Sequence, residues 1–417
     1  MIALRAISVV VVVFVLGAVP GTGSTQTLEE ELGVLLVDNP QILSAEKTIE
    51  STNKEIDKAL AGYMPTLQVT AEFGPEWVDS PAERSRRSGH ISARSRRIST
   101  LTLTQNLFNG FVTASNTKTA RLNALIASFT AEGTRQNTLF EGVNAYVNVL
   151  RQKRLIELAQ ANEDTIQIQL NLEDERVQRG SGIAVDVLQA KSRLQIAKER
   201  RVNFEGGLED AVSTYAQVFG HAPDIDELLD PVPPVERLPT EIGAAIELGL
   251  RENPAVGNSD ATIEVTRERR RAIRAEYLPT FDMVGTANNE NNNNAAIGTR
   301  RDYSIILQAT WDLFTGFSTQ ASMAQASMAQ AAFDYGASKD NYAFVVRKVV
   351  EQVRLSWQAL LTVRERLELL ENAINIAAEV FDSRQKLREA GKETVINVLD
   401  AESEIFNAQI NFTAAAY

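Results

Sequence analysis

The chain repeats itself over a distance that few folds permit. Tyr63-Met64-Pro65-Thr66-Leu67 returns as Tyr277-Leu278-Pro279-Thr280-Phe281, and Asn106-Leu107-Phe108-Asn109-Gly110-Phe111 returns as Asp312-Leu313-Phe314-Thr315-Gly316-Phe317. Asp186-Val187-Leu188-Gln189-Ala190 returns as Asn397-Val398-Leu399-Asp400-Ala401, and Asn39-Pro40 returns as Asn253-Pro254. The order is kept at a spacing of roughly 200 residues, far above the 20–50 residues of a solenoid unit. Each copy is therefore a whole structural module, and the uneven spacing marks one length change between them.

Proline placement limits what each module can contain. Prolines cluster from Pro223 to Pro239, but none lies between Pro81 and Pro223 or after Pro279. Proline removes a helical hydrogen bond and clashes with the preceding turn. The two proline-free blocks can therefore hold long helices, and the cluster reads as a linker over residues 223–239. In the second block, Val346, Val349, Val353, Ser356, Leu360, Val363, Leu367, Leu370, Ile374, Ala377 and Phe381 step by threes and fours. That is a heptad seam broken only at Ser356. Residues 113–178 of the first copy end at Arg179-Gly180-Ser181-Gly182 and predict a helix about 100 Å long. Gly133 and Gly142 are candidate breaks that would divide it.

Between the helical blocks the period changes to two. Leu67, Val69, Ala71 and Phe73 alternate with Gln68, Thr70 and Glu72, and Leu101, Leu103 and Leu107 face away from Thr100, Thr102 and Thr104. Tyr303, Ile305, Leu307, Ala309, Trp311 and Leu313 alternate with Ser304, Gln308, Thr310 and Asp312, and the stretch from Phe281 to Asn288 is similar. These runs predict strands at about 66–79, 98–108, 280–288 and 302–314, near the ~10 residues that cross a bilayer when tilted. A sheet packed on a soluble core would alternate in the same way. Each half then reads helix, strand, loop, strand, long helix, turn, helix. One tip loop holds Arg84, Arg86, Arg87, Arg94, Arg96 and Arg97; the other is the asparagine tract from Asn288 to Asn294. Four strands cannot close a barrel, and open edges are not tolerated in lipid. Closure demands more than one chain, and both eight and twelve strands are known barrel sizes.

Composition removes other functions. The net charge of −12 opposes nucleic-acid binding. With no cysteine there is no disulfide or thiolate metal site, and His90 and His221 have no metal-binding spacing. No nucleophile motif, phosphate-binding glycine loop or cofactor motif is visible, so the reading is not an enzyme. Arg5, the apolar run Ala6 to Val19 and the small residues after it predict an export signal over residues 1–25.

The duplication, the Tyr-x-Pro-Thr and Leu-Phe-x-Gly-Phe motifs and the Gly-x5-Asp/Asn-Val-Leu-x-Ala motif together resemble the TolC-like outer-membrane factor family. The resemblance spans about Thr27 to Tyr417, with repeats at 26–222 and 240–417. It implies a mixed α/β membrane protein: a homotrimer in which each chain adds four strands to a transmembrane β-barrel and long coiled helices to a periplasmic α-barrel. It also implies an outer-membrane duct that passively conducts substrate supplied by an inner-membrane pump and a periplasmic adaptor. Type I protein secretion is the favoured branch, because lipid-anchored efflux members carry an N-terminal cysteine. Small-molecule efflux is the alternative, and a periplasmic coiled-coil adaptor or scaffold is a rival class.

Turns at Gly180 and Gly391 would place the family's constriction just beyond them. Asp186 matches the first-repeat acidic position and Asp400 the inner ring, while Asn397 stands where many members carry aspartate. The family's gate-locking tyrosine and arginine correspond to Arg388 and Glu393, so that matched pair is not preserved, although Arg388 could still meet a carboxylate. Carboxylates crowded around an axis should repel and titrate high. From position alone, Asp186 and Asp400 are also stabilised near a helix start by ~0.3–1 kcal/mol. The second copy stops at Tyr417, the equivalent of Gly206, so its last helix should be the shorter.

Overall fold

The computed structural model describes residues 26–79, 81–86, 92–275, 278–293, 296–311 and 323–417. The expected export signal, Tyr277 and the second Leu-Phe-Thr-Gly-Phe motif lie outside the described residues. The first half runs α1 (Leu28–Asp38), α2 (Pro40–Leu60), β1 (Thr66–Val78), α3 (Pro81–Arg86), β2 (Ser92–Asn109), α4 (Val112–Gln178) and α5 (Ala184–Phe219). The second runs α6 (Ile242–Glu252), α7 (Pro254–Ala275), β3 (Thr280–Asn291), β4 (Thr299–Thr310), α8 (Met323–Glu389) and α9 (Val395–Ala416).

Two helices, rather than the expected one, precede each first strand. The repeated Asn-Pro pair is the reason. The Asn39 side chain accepts the Gln41 N–H at 2.9 Å, and the Asn253 side chain accepts the Ala255 N–H at the same distance. Each proline then fills the first helical position, where an N–H would have no partner. The pair therefore stops one helix and starts the next.

The four strands form one antiparallel sheet in the order β1-β2-β3-β4. Its register sorts side chains into rows. Leu67, Leu103, Gly285 and Ile305 lie side by side, as do Val69, Leu101, Ala287 and Tyr303. The other face carries the rows Gln68, Thr102, Thr286, Ser304 and Thr70, Thr100, Asn288, Asp302. Hydroxyl and amide groups on that face bond across strands, as between Thr286 and Ser304 (2.6 Å) and from Thr100 to Asn288 (3.0 Å). One face is thus apolar and the other hydrogen-bonded. The apolar face is not a buried core: Leu67, Val69, Phe73, Tyr303, Ile305 and Leu307 are exposed. Among the described residues no helix is long and apolar enough to cross a membrane.

Strand ends differ from expectation near the tips. β2 starts at Ser92, so Arg94, Arg96 and Arg97 are strand residues rather than loop residues. Arg96 pairs across to Glu72 on β1 at 2.9 Å, which extends the ladder beyond the apolar rows. β3 likewise continues to Asn291, so only the end of the asparagine tract turns, at Asn292 with φ of 53°. β4 begins and ends a few residues earlier than expected, with Trp311 outside it.

Among the described residues the helices keep the strand order. α2 leads into β1, β2 into α4, and α7 toward β3, while α2 packs on α4, α4 on α7 and α7 on α8. At the β2–α4 junction Gly110 (φ +65°) and Phe111 (φ 72°) are both left-handed. A Cβ on Gly110 would lie 2.4 Å from the Ala275 carbonyl oxygen, so the Leu-Phe-x-Gly-Phe motif is a tight hinge against α7.

α4 and α8 each run 67 residues. α4 passes through Gly133 and Gly142 without a break. Gly142 instead admits α1: a Cβ there would lie 2.7 Å from a Leu35 methyl group. Along α8, Val349 and Ala377 are buried and Ser356 is exposed. Midway along α4, Tyr146, Val149 and Leu150 join Leu35, Tyr215, Phe219 and Leu228 in a core that pins the linker to the tube. The buried Tyr146 hydroxyl lies 2.8 Å from both the Gln26 and Leu229 carbonyls, either of which can take its proton, and accepts the Leu229 N–H at 3.1 Å. α9, at 22 residues against 36 for α5, is the shorter partner, and Tyr417 reaches Asp230 at 2.6 Å.

Gly110→Ala should lower the stability of the folded protein by about 1–3 kcal/mol, because the left-handed backbone and the Ala275 contact both oppose a methyl group. Gly33→Ala, in an exposed turn of α1 with nothing within 4 Å, should raise it by about 0.5–1 kcal/mol. Thermal melts of the purified protein in detergent check both signs.

Candidate functional site

The far ends of the helices carry the charged groups that join the two repeats. Both hairpins turn by the same mechanism. The N–H of Ser181 reaches the Arg176 carbonyl and that of Gly180 the Val177 carbonyl; Lys392 reaches Leu387 and Gly391 reaches Arg388 in the same pattern. Gly180 (φ +75°) and Gly391 (φ +71°) supply the left-handed residue that this helix end requires.

The turns place Arg388 against the other hairpin. Its guanidinium forks onto Glu173 of α4, with Nη2 at 2.5 Å from one carboxylate oxygen and Nε at 3.1 Å from the other. Nη2 also lies 3.4 Å from Asp186 of α5, and Nη1 donates to the Glu393 carbonyl at 2.9 Å. Arg388 thus ties the α8–α9 turn to both helices of the first-repeat hairpin. Glu173 is 1% exposed and also accepts from Arg176 at 3.0 Å, so two guanidiniums compensate one buried carboxylate. The Arg388 and Asp186 side chains are 17% and 14% exposed.

The other expected residues sit nearby in different roles. Asp400 lies beyond the first turn of α9, so the helix start does not hold it. Arg193 of α5 does, at 2.7 Å, with the Asp400 side chain 51% exposed. Glu393 accepts from the Asn397 side chain and from the Thr394 N–H at 3.0 Å. These bonds, the Asn397 contact foremost, hold its carboxyl below the usual value. The Asn397 carbonyl in turn accepts from Arg384 at 3.2 Å. Asp186, Arg388 and Glu393 are therefore gathered at one point, and Asp400 stands further along α9 with its own cation.

Two buried carboxylates are not marked by the motifs. Glu173 continues the apolar series Ile166, Leu170, and Glu402 falls between Leu399 and Phe406 at the same three- and four-residue steps. A carboxylate in a heptad seam was the available signal. Glu402 is buried between α9 and α4, where Asn162 donates to it at 2.9 Å and its second oxygen has no partner. Burial pushes its pKa up to about 7, against an ordinary value of 4.5, with the Asn162 bond opposing the rise. By the register that sets Asp186 against Asn397, Arg384 replaces Glu173 and Arg388 replaces Val177. The halves exchange charge at the point where they meet.

An amphipathic open sheet continued by paired long helices, with a charged clasp at the far tips, is the anatomy of an outer-membrane channel. The chain belongs to the outer membrane efflux protein family, which matches residues 32–221 and 245–417. Among curated relatives it is 23% identical over 394 residues to the outer membrane efflux protein BepC of Brucella suis, covering 94% of this chain and 82% of that protein. It is 24% identical over 395 residues to the alkaline protease secretion protein AprF of Pseudomonas aeruginosa, covering 92% and 79%. The crystal structure of the outer membrane protein VceC from Vibrio cholerae superposes with a TM-score of 0.80 at 14% identity, covering 93% of this chain and 92% of that one. The protein is an outer-membrane export-channel component with a large periplasmic helical portion, and membership of this family sets aside the adaptor reading.

Glu402 makes stability depend on pH in a stated direction. Its folded pKa lies above its unfolded value, so its contribution is fully present below pH 4.5 and declines as pH rises through about 7. Glu402→Gln keeps the acceptor for Asn162 and removes the charge. It should raise the melting temperature at pH 8 and leave it nearly unchanged at pH 4, read by melts at both values.

Proposed function

We propose that the protein is a passive exit duct, in which three copies close a twelve-stranded barrel above a twelve-helix tube. The observation that carries this reading is the sheet itself: β1 and β4 are edges within one chain, and the sheet bears a continuous apolar face. In lipid those edges must pair, and neighbouring copies are the available partners. Residues 1–25 direct export, the segments 26–222 and 240–417 are the repeats, and 223–239 link them. No chemical step is needed from the chain. An inner-membrane pump supplies the energy, and a periplasmic adaptor favours the open form by binding it more tightly.

The clasp is the gate. Arg388 on Glu173 and Asp186 holds the second-repeat hairpin against the first, with Arg193 on Asp400 as a second tie. Opening separates these pairs as the hairpins shift, and Asn397 and Glu393 move with the turn. The cargo we favour is protein, of the kind carried by a type I secretion system, supported by the similarity to a protease secretion protein over nearly the whole chain. Small-molecule efflux is the second reading, supported by the similar match to BepC.

Planar-bilayer recording tests both levels. Wild-type protein should give a small conductance, and a folded trimer that gives no pore would sink the duct. Arg388→Ala should raise the open fraction: loss of a buried pair costs about 3 kcal/mol, or about a hundredfold in the closed-to-open ratio. Unchanged conductance in that variant would remove the clasp from the gate.

A further inference from the structure

The arginines near the strand tips divide by face. Arg96 and Arg300 point with the hydrogen-bonded face, and both are neutralised. Arg96 lies 2.9 Å from Glu72 and 3.8 Å from Glu76, while Arg300 lies 3.0 Å from Asp302 and 3.7 Å from Glu290. Arg97 and Arg301 point with the apolar face. The register puts Arg97 beside Phe73 and puts Arg301 in the adjacent row with Ala71, Ser99 and Asn289. That row lies directly tipward of Val69, Leu101, Ala287 and Tyr303. Both arginines are exposed, and among the described residues neither has a carboxylate partner; Arg97 only lies over the Phe73 ring, at 5.4 Å.

We propose that Arg97 and Arg301 form a binding site for the phosphate groups of a lipid headgroup in the outer leaflet. The proposal rests on the membrane reading of the sheet and adds a specific ligand to it. A guanidinium on a lipid-facing strand is destabilising at the midplane and nearly neutral at the interface. Both residues stand where the apolar rows end, among the exposed rings of Phe73, Trp77 and Tyr303, which suit the headgroup boundary. Guanidinium groups bind phosphate through two parallel charge-assisted hydrogen bonds. The pore-facing arginines have carboxylates for this purpose, and the lipid-facing ones have none, so their anion comes from outside the chain. Arg97 and Arg301 are two strand spacings and one row apart, about 12 Å. One headgroup carrying two phosphates on a disaccharide can reach both. Because the helices are periplasmic, the strand tips lie in the outer leaflet, where such phosphorylated glycolipids reside.

The test uses the full-length protein purified in detergent and measures retained lipid by native mass spectrometry. The probes are bis-phosphorylated lipid A, the same lipid stripped of phosphate, and inorganic phosphate. Wild-type protein should retain the bis-phosphorylated lipid at least about tenfold better than the stripped lipid. The R97Q/R301Q double variant should fall to the stripped-lipid level, R97K/R301K should keep most of the binding, and R96Q/R300Q should match wild type. Equal retention by R97Q/R301Q and wild type would overturn the site. Equal binding of the stripped lipid would do the same, and displacement by millimolar inorganic phosphate would show a free-anion site instead. Outer-membrane fractionation of each variant separates loss of this site from failure of the duct reading, since only the latter releases the protein from the membrane.

Discussion

A backbone N–H or C=O facing hydrocarbon has no water to bond with, and most of this structure follows from that constraint. Inside the sheet every strand satisfies its neighbour; at β1 and β4 the ladder ends. An apolar face of Leu67, Val69, Ile305 and Leu307 belongs in lipid, yet the edges beside it do not. The proposed closure by further copies resolves the conflict, and it would turn the hydrogen-bonded face inward to line the lumen. Below the sheet the constraint changes. Helices satisfy their own backbone, so the tube can be built from side-chain packing alone.

Keeping the strand order in the helices lets one sheet become one tube. The junctions must then be tight, and Gly110 against the Ala275 carbonyl shows how tight. Further down, Gly142 brings α1 onto α4 and Tyr146 fastens the linker, so the middle of the tube is stiffened by elements that neither strand nor hairpin supplies. The tips are held differently. Their cohesion comes from a second apolar core, in which Val187, Ala190, Leu194, Val395 and Leu399 pack with Ile166 and Leu170, and from the Arg388 and Arg193 ion pairs between the two hairpins.

Much of this was legible in the residues. Proline-free blocks gave the long helices, period-two runs gave the strands, and the glycine turns were placed at Gly180 and Gly391. The misplacements share a cause. Arg94, Arg96 and Arg97 read as loop because they are charged, whereas the ladder with β1 continues through all three, with Arg96 paired to Glu72 and Arg97 lying over Phe73. Gly142 read as a break because glycine weakens a helix, whereas a neighbouring helix required its missing side chain. Glu173 stands out in the sequence only as a carboxylate in an apolar seam, and its partner is not legible until Arg388 from the other repeat is in place.

The sequence by itself determined the duplication, the lengths of the elements and the non-closure of four strands, because these depend on local periodicity and backbone chemistry. Only the tertiary structure decided which charges meet. Arg388 and Glu173 are more than two hundred positions apart in the chain, and no local propensity encodes their pairing. It arises because two copies of one hairpin fold alike and then pack side by side, and their few differences fall where the copies touch.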